Sequence, residues 1–311
     1  MERWYVLAVL TLVYAMNIAD RFVVSTLLEP IRLDLHLSDA SVALITGTAL
    51  ALFYVTVGIP VAVLADRANR RTIVAVSLAL WSAMTAACGL AGNVVQFVLA
   101  RFGVGIGEAG GTPPSTSILA DKFVARDRPM ALTLFALGAP IGAWLGSSLA
   151  GAVAAHYGWR MAFLVLGVPG IVVALLVYLT VREPVRGGCD ATPPPAAHSL
   201  LDALRFLRGQ RSAFHIIAGG TVATLWGWGL LWWTPAFLMR TYGMTIDEAS
   251  GALGPMHLFA GSLATVATGL LVSARTASDP RRVVWLIGSV LLLATVPSIV
   301  IYWTHSRSLA I

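Results

Sequence analysis

A chain of 311 residues that is 58% hydrophobic and 12% charged, with a mean hydropathy of +0.80, lies far from soluble domains, which are roughly 45–50% apolar and about 25% charged. A water-soluble globular protein is excluded, and so is a disulfide framework or zinc site, because the only two cysteines are Cys88 in an apolar run and Cys189 in a loop. The net charge of +6 could suit nucleic acid, but the basic residues sit between apolar runs, where they report membrane topology, and no nucleic-acid partner is expected.

In chain order, apolar runs long enough to cross a bilayer fall at about 4–28, 40–64, 72–91, 94–118, 129–153, 159–181, 213–239, 248–272 and 283–303. Nine helices are therefore expected, since the alternation of a membrane β-barrel is absent. Fifteen basic residues fall on the side of the N-terminus, against Arg32, Arg160, Arg240 and Arg307 on the other, with Arg21 and Arg101 inside runs. By the positive-inside rule the N-terminus is cytoplasmic, in a multi-pass protein of the plasma (inner) membrane. The first run lacks a cleavage site and reads as a retained helix.

That run ends in Asn17, Asp20 and Arg21. Asn17 shares a face with both charges, whereas Asp20 and Arg21 diverge by about 100°. Measured from Trp4, Asp20 lies about 24 Å along its helix, while Arg101 and Glu108 lie about 10 Å and about 21 Å along the fourth. In a core of about 30 Å, Asp20 and Arg101 then sit at similar depth. The expected pair is Asp20 with Arg101; the competing reading has Asp20 and Arg21 snorkelling to the surface. Glu108 is two turns from Arg101 on the same face, out of its reach unless side chains bend or Arg21 approaches. An acid surrounded by glycine and apolar residues is costly to keep charged, which makes it the candidate proton carrier. Gly103, Gly105 and Gly107 thin the same helix for close packing.

The loop LADRANRR at 64–71 carries Asp66, Arg67, Arg70 and Arg71, with Asp66 expected at the N-terminus of the next helix, where a carboxylate is favoured. Further on, Gly138, Gly142 and Gly146 recur every four residues around Pro140, giving a smooth face that could slide and a possible kink. Between 183 and 212 the composition turns to glycine and proline, and Leu200, Leu201, Leu204 and Leu207 predict an amphipathic surface helix. This divides the chain into a six-helix bundle over 1–182, a cytoplasmic linker over 183–212, and three helices over 213–311. In the last part, Trp226 and Trp228, with Trp232 and Trp233, form either an interfacial belt or a cavity wall. His257 is either a packed core residue or a proton carrier. Asp247-Glu248-Ala249-Ser250 faintly echoes Ser38-Asp39-Ala40-Ser41, as parallel repeats of a transporter do.

These motifs carry a resemblance. The loop at 64–71 and the Gly138 to Gly146 motif resemble the major facilitator superfamily. Asp20-Arg21, Asn69, RFGVGIGEA at 101–109 and ILADKF at 118–123 are together similar to its Spinster branch. The resemblance implies an all-α polytopic membrane protein of twelve spans in two bundles, alternating access, and export of amphipathic molecules such as lysolipids or sphingolipids in animal members. It further implies a polar core of Asp20, Arg21, Arg101 and Glu108. The sequence departs from the pattern in Ala62, where glycine is usual, in the second repeat, which keeps only Arg281-Arg282, and in ending after nine expected runs, with an incomplete second bundle.

The expected function is a secondary transporter acting as a monomer, with a small-molecule or lipid substrate, protons and membrane lipids as partners. Alternatives are a receptor, an inactive truncated paralogue, or a membrane-embedded enzyme. No phosphate-binding loop, cofactor pattern or nucleophile-base constellation is legible, so an enzyme is not expected.

Overall fold

The computed structural model describes residues 1–43, 47, 50–189, 200–275 and 281–304. Pro193 to Pro195 and Arg307 lie outside the described residues, as do the side chains of Leu200, Leu201, Leu204 and Arg282.

Among the described residues the chain is a succession of helices. The first part holds α1 (Glu2–Thr26), α2 (Leu28–Asp34), α3 (Asp39–Ala43), α4 (Leu50–Arg67), α5 (Arg70–Gly89), α6 (Val94–Glu108) and α7 (Thr112–Lys122). A continuous helical run follows, made of α8 (Arg128–Ala136), α9 (Gly138–Trp144), a π-helical turn (Leu145–Leu149) and α10 (Ala150–Tyr157), then α11 (Trp159–Thr180). The remainder is α12 (Leu200–Gly209), α13 (Arg211–Tyr242), α14 (Ile246–Arg275) and α15 (Arg281–Trp303).

Six of these segments, α1, α5, the 128–157 run, α11, α13 and Val284–Trp303 of α15, are long and apolar enough to cross a membrane. The expected runs 40–64 and 248–272 correspond to α4 and α14, each of which borders residues outside the described set. The expected run 94–118 is not one helix. It breaks after Glu108, where Gly110 and Gly111 make a turn and Pro113 and Pro114 occupy the first turn of α7. Proline tolerates the start of a helix but not its interior, so the second half restarts as α7.

The buried interior of residues 1–181 is layered. One apolar cluster gathers Leu10, Val13, Leu78, Trp81, Val104 and Phe123 with their neighbours. A second gathers Val23, Val24, Cys88, Phe97, Trp159 and Phe163. Between them lie the buried polar residues Asn17, Asp20, Ser82, Thr85, Arg101 and Glu108.

The glycines of the 128–157 run press it against α1. A Cβ on Gly142 would collide with the Ala15 carbonyl, and one on Gly146 with the Ala19 carbonyl. This is the packing face expected from the spacing, with backbone on backbone. The opposite side of the run meets α14, where Gly254 faces Ser148, Gly261 faces Pro140, and Gly151 faces Ser250. Residues 213–275 thus attach to the first part through α14, and through α13, whose Leu231 and Trp232 carbonyls both accept from the Ser25 hydroxyl at 3.0 Å.

At the end of the molecule away from the N-terminus, the two parts are joined by charge. Arg240 of α13 donates to Glu29 of α2 through Nε at 2.8 Å and to Asp39 of α3 through Nη2 at 2.8 Å and Nη1 at 3.0 Å. Arg32 shares Glu29. The Arg32 bond, helped by Arg240, holds the Glu29 carboxyl below the usual carboxylate range, and the Arg240 bond does the same for Asp39.

Two predictions follow from this packing. Gly142→Val should destabilise the protein by about 1–3 kcal/mol or more through overpacking against α1. Gly220→Ala, where a Cβ meets nothing within 4 Å, should stabilise it by up to about 1 kcal/mol through helix propensity. Thermal unfolding in detergent distinguishes the two. For the charged cluster, both carboxyls have depressed values, so their attraction to Arg240 persists through the ordinary carboxylate range and is lost only as pH falls through the depressed values. Spin labels at Leu33 and Thr241 should therefore report an unchanged separation from neutral pH to about 5, near the reference carboxylate values, and a larger one in stronger acid. Arg240→Gln should give the larger separation already at neutral pH.

Candidate functional site

The polar layer is built on α1 and α6. Arg101 is fully buried and its Nη1 donates to Asp20 Oδ2 at 2.9 Å. The other Asp20 oxygen takes a short hydrogen bond from the Thr85 hydroxyl, which also approaches the Trp81 carbonyl. Thr85 thus belongs to the group although the sequence did not single it out, and so does Cys88, whose thiol lies beside Arg101. The expected pairing of Asp20 with Arg101 across α1 and α6 is the geometry found, and Asp20, 3% exposed, does not snorkel.

Glu108 is not left alone. Arg21 reaches it, donating from Nε to Oε2 at 2.9 Å, with Nη2 at 2.8 Å. Arg101 and Glu108, on one face of α6, are thereby served by two consecutive residues of α1. Glu108 is the last residue of α6, where the helix presents partial negative charge, so a carboxylate there depends on a nearby cation. The other oxygen, Oε1, is buried and has no hydrogen-bond partner among the described residues. On α1, Asn17 lies one turn before Arg21 with its buried Nδ2 in the same condition.

Arg21 is the member of this group that remains partly accessible, its side chain 22% exposed. The Trp228 ring of α13 covers it at 5.7 Å, a cation–π arrangement that joins the polar layer to the second part of the chain. Beside it, Phe22 meets the edge of His257 at 4.9 Å, and the His257 Nδ1 lies 3.3 Å from the Ser147 hydroxyl of the π-helical turn. Trp228 and His257 are therefore walls of this group. Trp226, two positions from Trp228 and so turned away on a helix, is half-buried and does not join it. Trp232 and Trp233 pack into apolar clusters against residues of the first part.

The loop 64–71 behaves differently from expectation. Asp66 and Arg67 are exposed, and the N-terminus of α5 is capped by Asn69, which accepts from the Thr72 amide at 3.0 Å. The carboxylate at that terminus is Glu183, which accepts from the Arg71 amide at 2.9 Å and from Arg70 Nε at 2.7 Å. A helix N-terminus favours any carboxylate that reaches it; Glu183 is placed there by the end of α11, and Asp66 faces away. Arg70 is buried between Glu183, Asp121 and the Ser117 hydroxyl. Arg186 completes the knot, its Nη2 donating to the Ala65 and Ala68 carbonyls at 2.7 Å. Arg71 lies over the Tyr178 ring at 5.0 Å. Glu183 carried no sequence signal, and although Asp121 lies within ILADKF at 118–123, its pairing with Arg70 was not legible because the partners are remote in the chain.

No group of three or more histidine, cysteine, aspartate or glutamate side chains suited to a metal ion occurs among the described residues. The arrangement places two acid–base pairs between α1 and α6, with Arg21 of one pair also against Trp228 of α13.

Comparison with known proteins accords with this geometry. The sequence profile of the Major Facilitator Superfamily matches residues 10–311. An MFS-type efflux pump of Mycolicibacterium smegmatis is 33% identical over 99% of this chain and 71% of its own. Protein spinster of Drosophila melanogaster and protein spinster homolog 1 of Homo sapiens are 31% and 32% identical over 76% of this chain, which spans 39% and 46% of their lengths. A crystal structure of a bacterial homolog of the human lysosomal transporter Spinster, inward-facing and unoccupied, superposes with a TM-score of 0.83 at 34% identity, covering 99% of this chain and 70% of that one. The chain belongs to the major facilitator superfamily, as a Spinster-like, multi-pass membrane transporter.

Proposed function

We propose that the protein moves a small amphipathic or organic molecule across the plasma (inner) membrane by proton-coupled alternating access, with Glu108 as the coupling group. In this reading residues 1–182 form the N-terminal bundle and 213–311 begin the second. The linker 183–212 and the N-terminus lie in the cytoplasm. The observation that carries the proposal is the Glu108 carboxyl, buried, held by Arg21 through one oxygen and without a partner among the described residues on the other.

A proton arriving on Glu108 neutralises the carboxylate and weakens its hold on Arg21. The guanidinium, its bond to Glu108 weakened and its ring contact with Trp228 kept, can then turn toward an anionic substrate group, and its return to Glu108 accompanies proton release. Alternating access supplies the exposure of the group first to one side and then to the other. The Arg70 knot at 64–71 acts as a gate on the cytoplasmic side, since its partners come from three different helix ends. A lysolipid suits this scheme, having a phosphate in its head and a single chain, and it is what the resemblance to the Spinster branch implies. A second reading, an organic acid, rests on the same accessible Arg21 and on the similarity, at 27% identity, to the probable galactarate/D-glucarate transporter of Bacillus subtilis.

Glu108→Gln should abolish uphill flux driven by a pH gradient in proteoliposomes while leaving substrate exchange measurable. Unchanged pH-driven uphill transport by that variant counts against the assignment. Asp20→Asn and Arg101→Gln should each destabilise the protein by about 3–5 kcal/mol, because each strands a buried group. In a double-mutant cycle the two losses should be strongly non-additive. Simple additivity in both stability and flux contradicts a coupled pair.

A further inference from the structure

A second opening reaches the polar layer from the side. A cavity of about 210 Å³ lies between α1, α5, the π-helical turn and α11. Its rim is Leu12, Leu149, Val165 and Pro169, all exposed and apolar, and the flanking Val168, Ile171 and Val172 are exposed as well. Its floor is Asp20, Ser82, Thr85 and Trp81, all buried. It is separate from the Arg21, Trp228 and His257 group, which lies on the side of α1 that meets α13 and α14.

Position in the bilayer fixes the phase from which this cavity fills. At 1.5 Å per residue, Leu12 and Asp20 lie about 15 Å and about 27 Å along α1 from Glu2. The mouth therefore opens at hydrocarbon depth, and whatever enters is already dissolved in the membrane. The walls suit an alkyl chain, while the floor does not, because hydroxyls and a carboxylate left facing a methyl group forgo hydrogen bonds. The floor also discriminates by charge. Asp20 is already matched by Arg101, so a cation has no net charge to neutralise and an anion meets the carboxylate. A carboxylate offers about four lone-pair sites, and Thr85 and Arg101 occupy two of those on Asp20.

We propose that this lateral cavity is a binding site for a neutral, single-chain alcohol from the bilayer, its hydroxyl at Asp20, Ser82 and Thr85 and its chain passing between Leu149 and Val165. The alcohol donates to an unused lone pair of Asp20 and accepts from the Ser82 hydroxyl, the Thr85 hydrogen being already given to Asp20, with no covalent bond made or broken. The site goes beyond the proposed transport path and does not depend on it.

The test uses the purified full-length chain in proteoliposomes and a diazirine-bearing 1-octanol as photolabel, with the diazirine alkane of equal length as control. The alcohol should label α1 near Leu12 and Met16 and α11 between Val165 and Val173, as mapped by peptide mass spectrometry. An excess of 1-decanol should reduce that labelling several-fold, and decane should not. Val165→Trp and Leu149→Trp, both at the exposed rim and so compatible with folding, should each remove labelling here and spare it elsewhere on the chain. Equal labelling by alcohol and alkane, or labelling unaltered in both tryptophan variants, overturns the proposal. Neither readout involves flux, so a failed transport assay leaves this result unaffected.

Discussion

The ion pair between Asp20 and Arg101 is the constraint on which the first part of the chain depends. Two charges fully removed from water and lipid are costly, and each is tolerable only while the other is in place with its hydrogen bonds. The apolar clusters above and below leave no alternative partner at that depth among the residues they contain. Thr85 and Cys88 on α5 then follow as neighbours of the pair, so three helices are registered by one buried contact. Glycine makes the register tight. Gly107 of α6 brings its backbone onto the Trp81 amide, and Gly167 of α11 onto the Ala86 amide.

The parts before and after the linker meet in a different manner. Their seam combines small residues of α14 against the 128–157 run, aromatic rings over Arg21 and Phe22, and the charges around Arg240, centred on the buried Glu29, at one end. Small-residue contacts in a membrane gain chiefly from packing, since no hydrophobic force favours protein over lipid. Such a seam can part along its length more readily than the layered interior can. The π-helical turn at Leu145–Leu149 sits where the seam crosses the polar layer, with Ser147 facing His257 on one side and Leu145 and Leu149 facing the lateral cavity on the other. Extra turns of this kind recur at functional positions because they re-aim side chains without ending the helix.

Much of this was legible in the sequence where a physical quantity accumulates along the chain. Rise per residue placed Asp20 level with Arg101, and the four-residue recurrence of Gly138, Gly142 and Gly146 marked a close contact. The break after Glu108 falls at Gly110-Gly111 and Pro113-Pro114, punctuation that the apolar run over 94–118 hides because hydropathy alone does not register it. What periodicity cannot supply is the identity of a partner from far away. Glu183 displaced Asp66 at the start of α5 because the end of α11 delivers it there, and Arg240 found Glu29 and Asp39 across two hundred residues. Arg21 lay between these cases: its angle from Asp20 was readable, its reach to Glu108 was not.

The polarity of the two pairs has a consequence of its own. Along α1 the order is acid then base, Asp20 then Arg21, and along α6 it is base then acid, Arg101 then Glu108. Suppose α1 turned about its axis by one residue, about 100°. In one direction Asp20 would take the place of Arg21 and confront Glu108 while Arg21 turned away; in the other Arg21 would take the place of Asp20 and confront Arg101, so either turn replaces two attractions by a like-charge encounter and a stranded charge. The glycine contacts at Ala15 and Ala19 set the angle of α1 against the 128–157 run, and the crossed charges set it against α6. The crossed charges act as a key in a slot, admitting a single angular setting of α1 and penalising its nearest misfit, so that the fold is specified here as much by what it forbids as by what it binds.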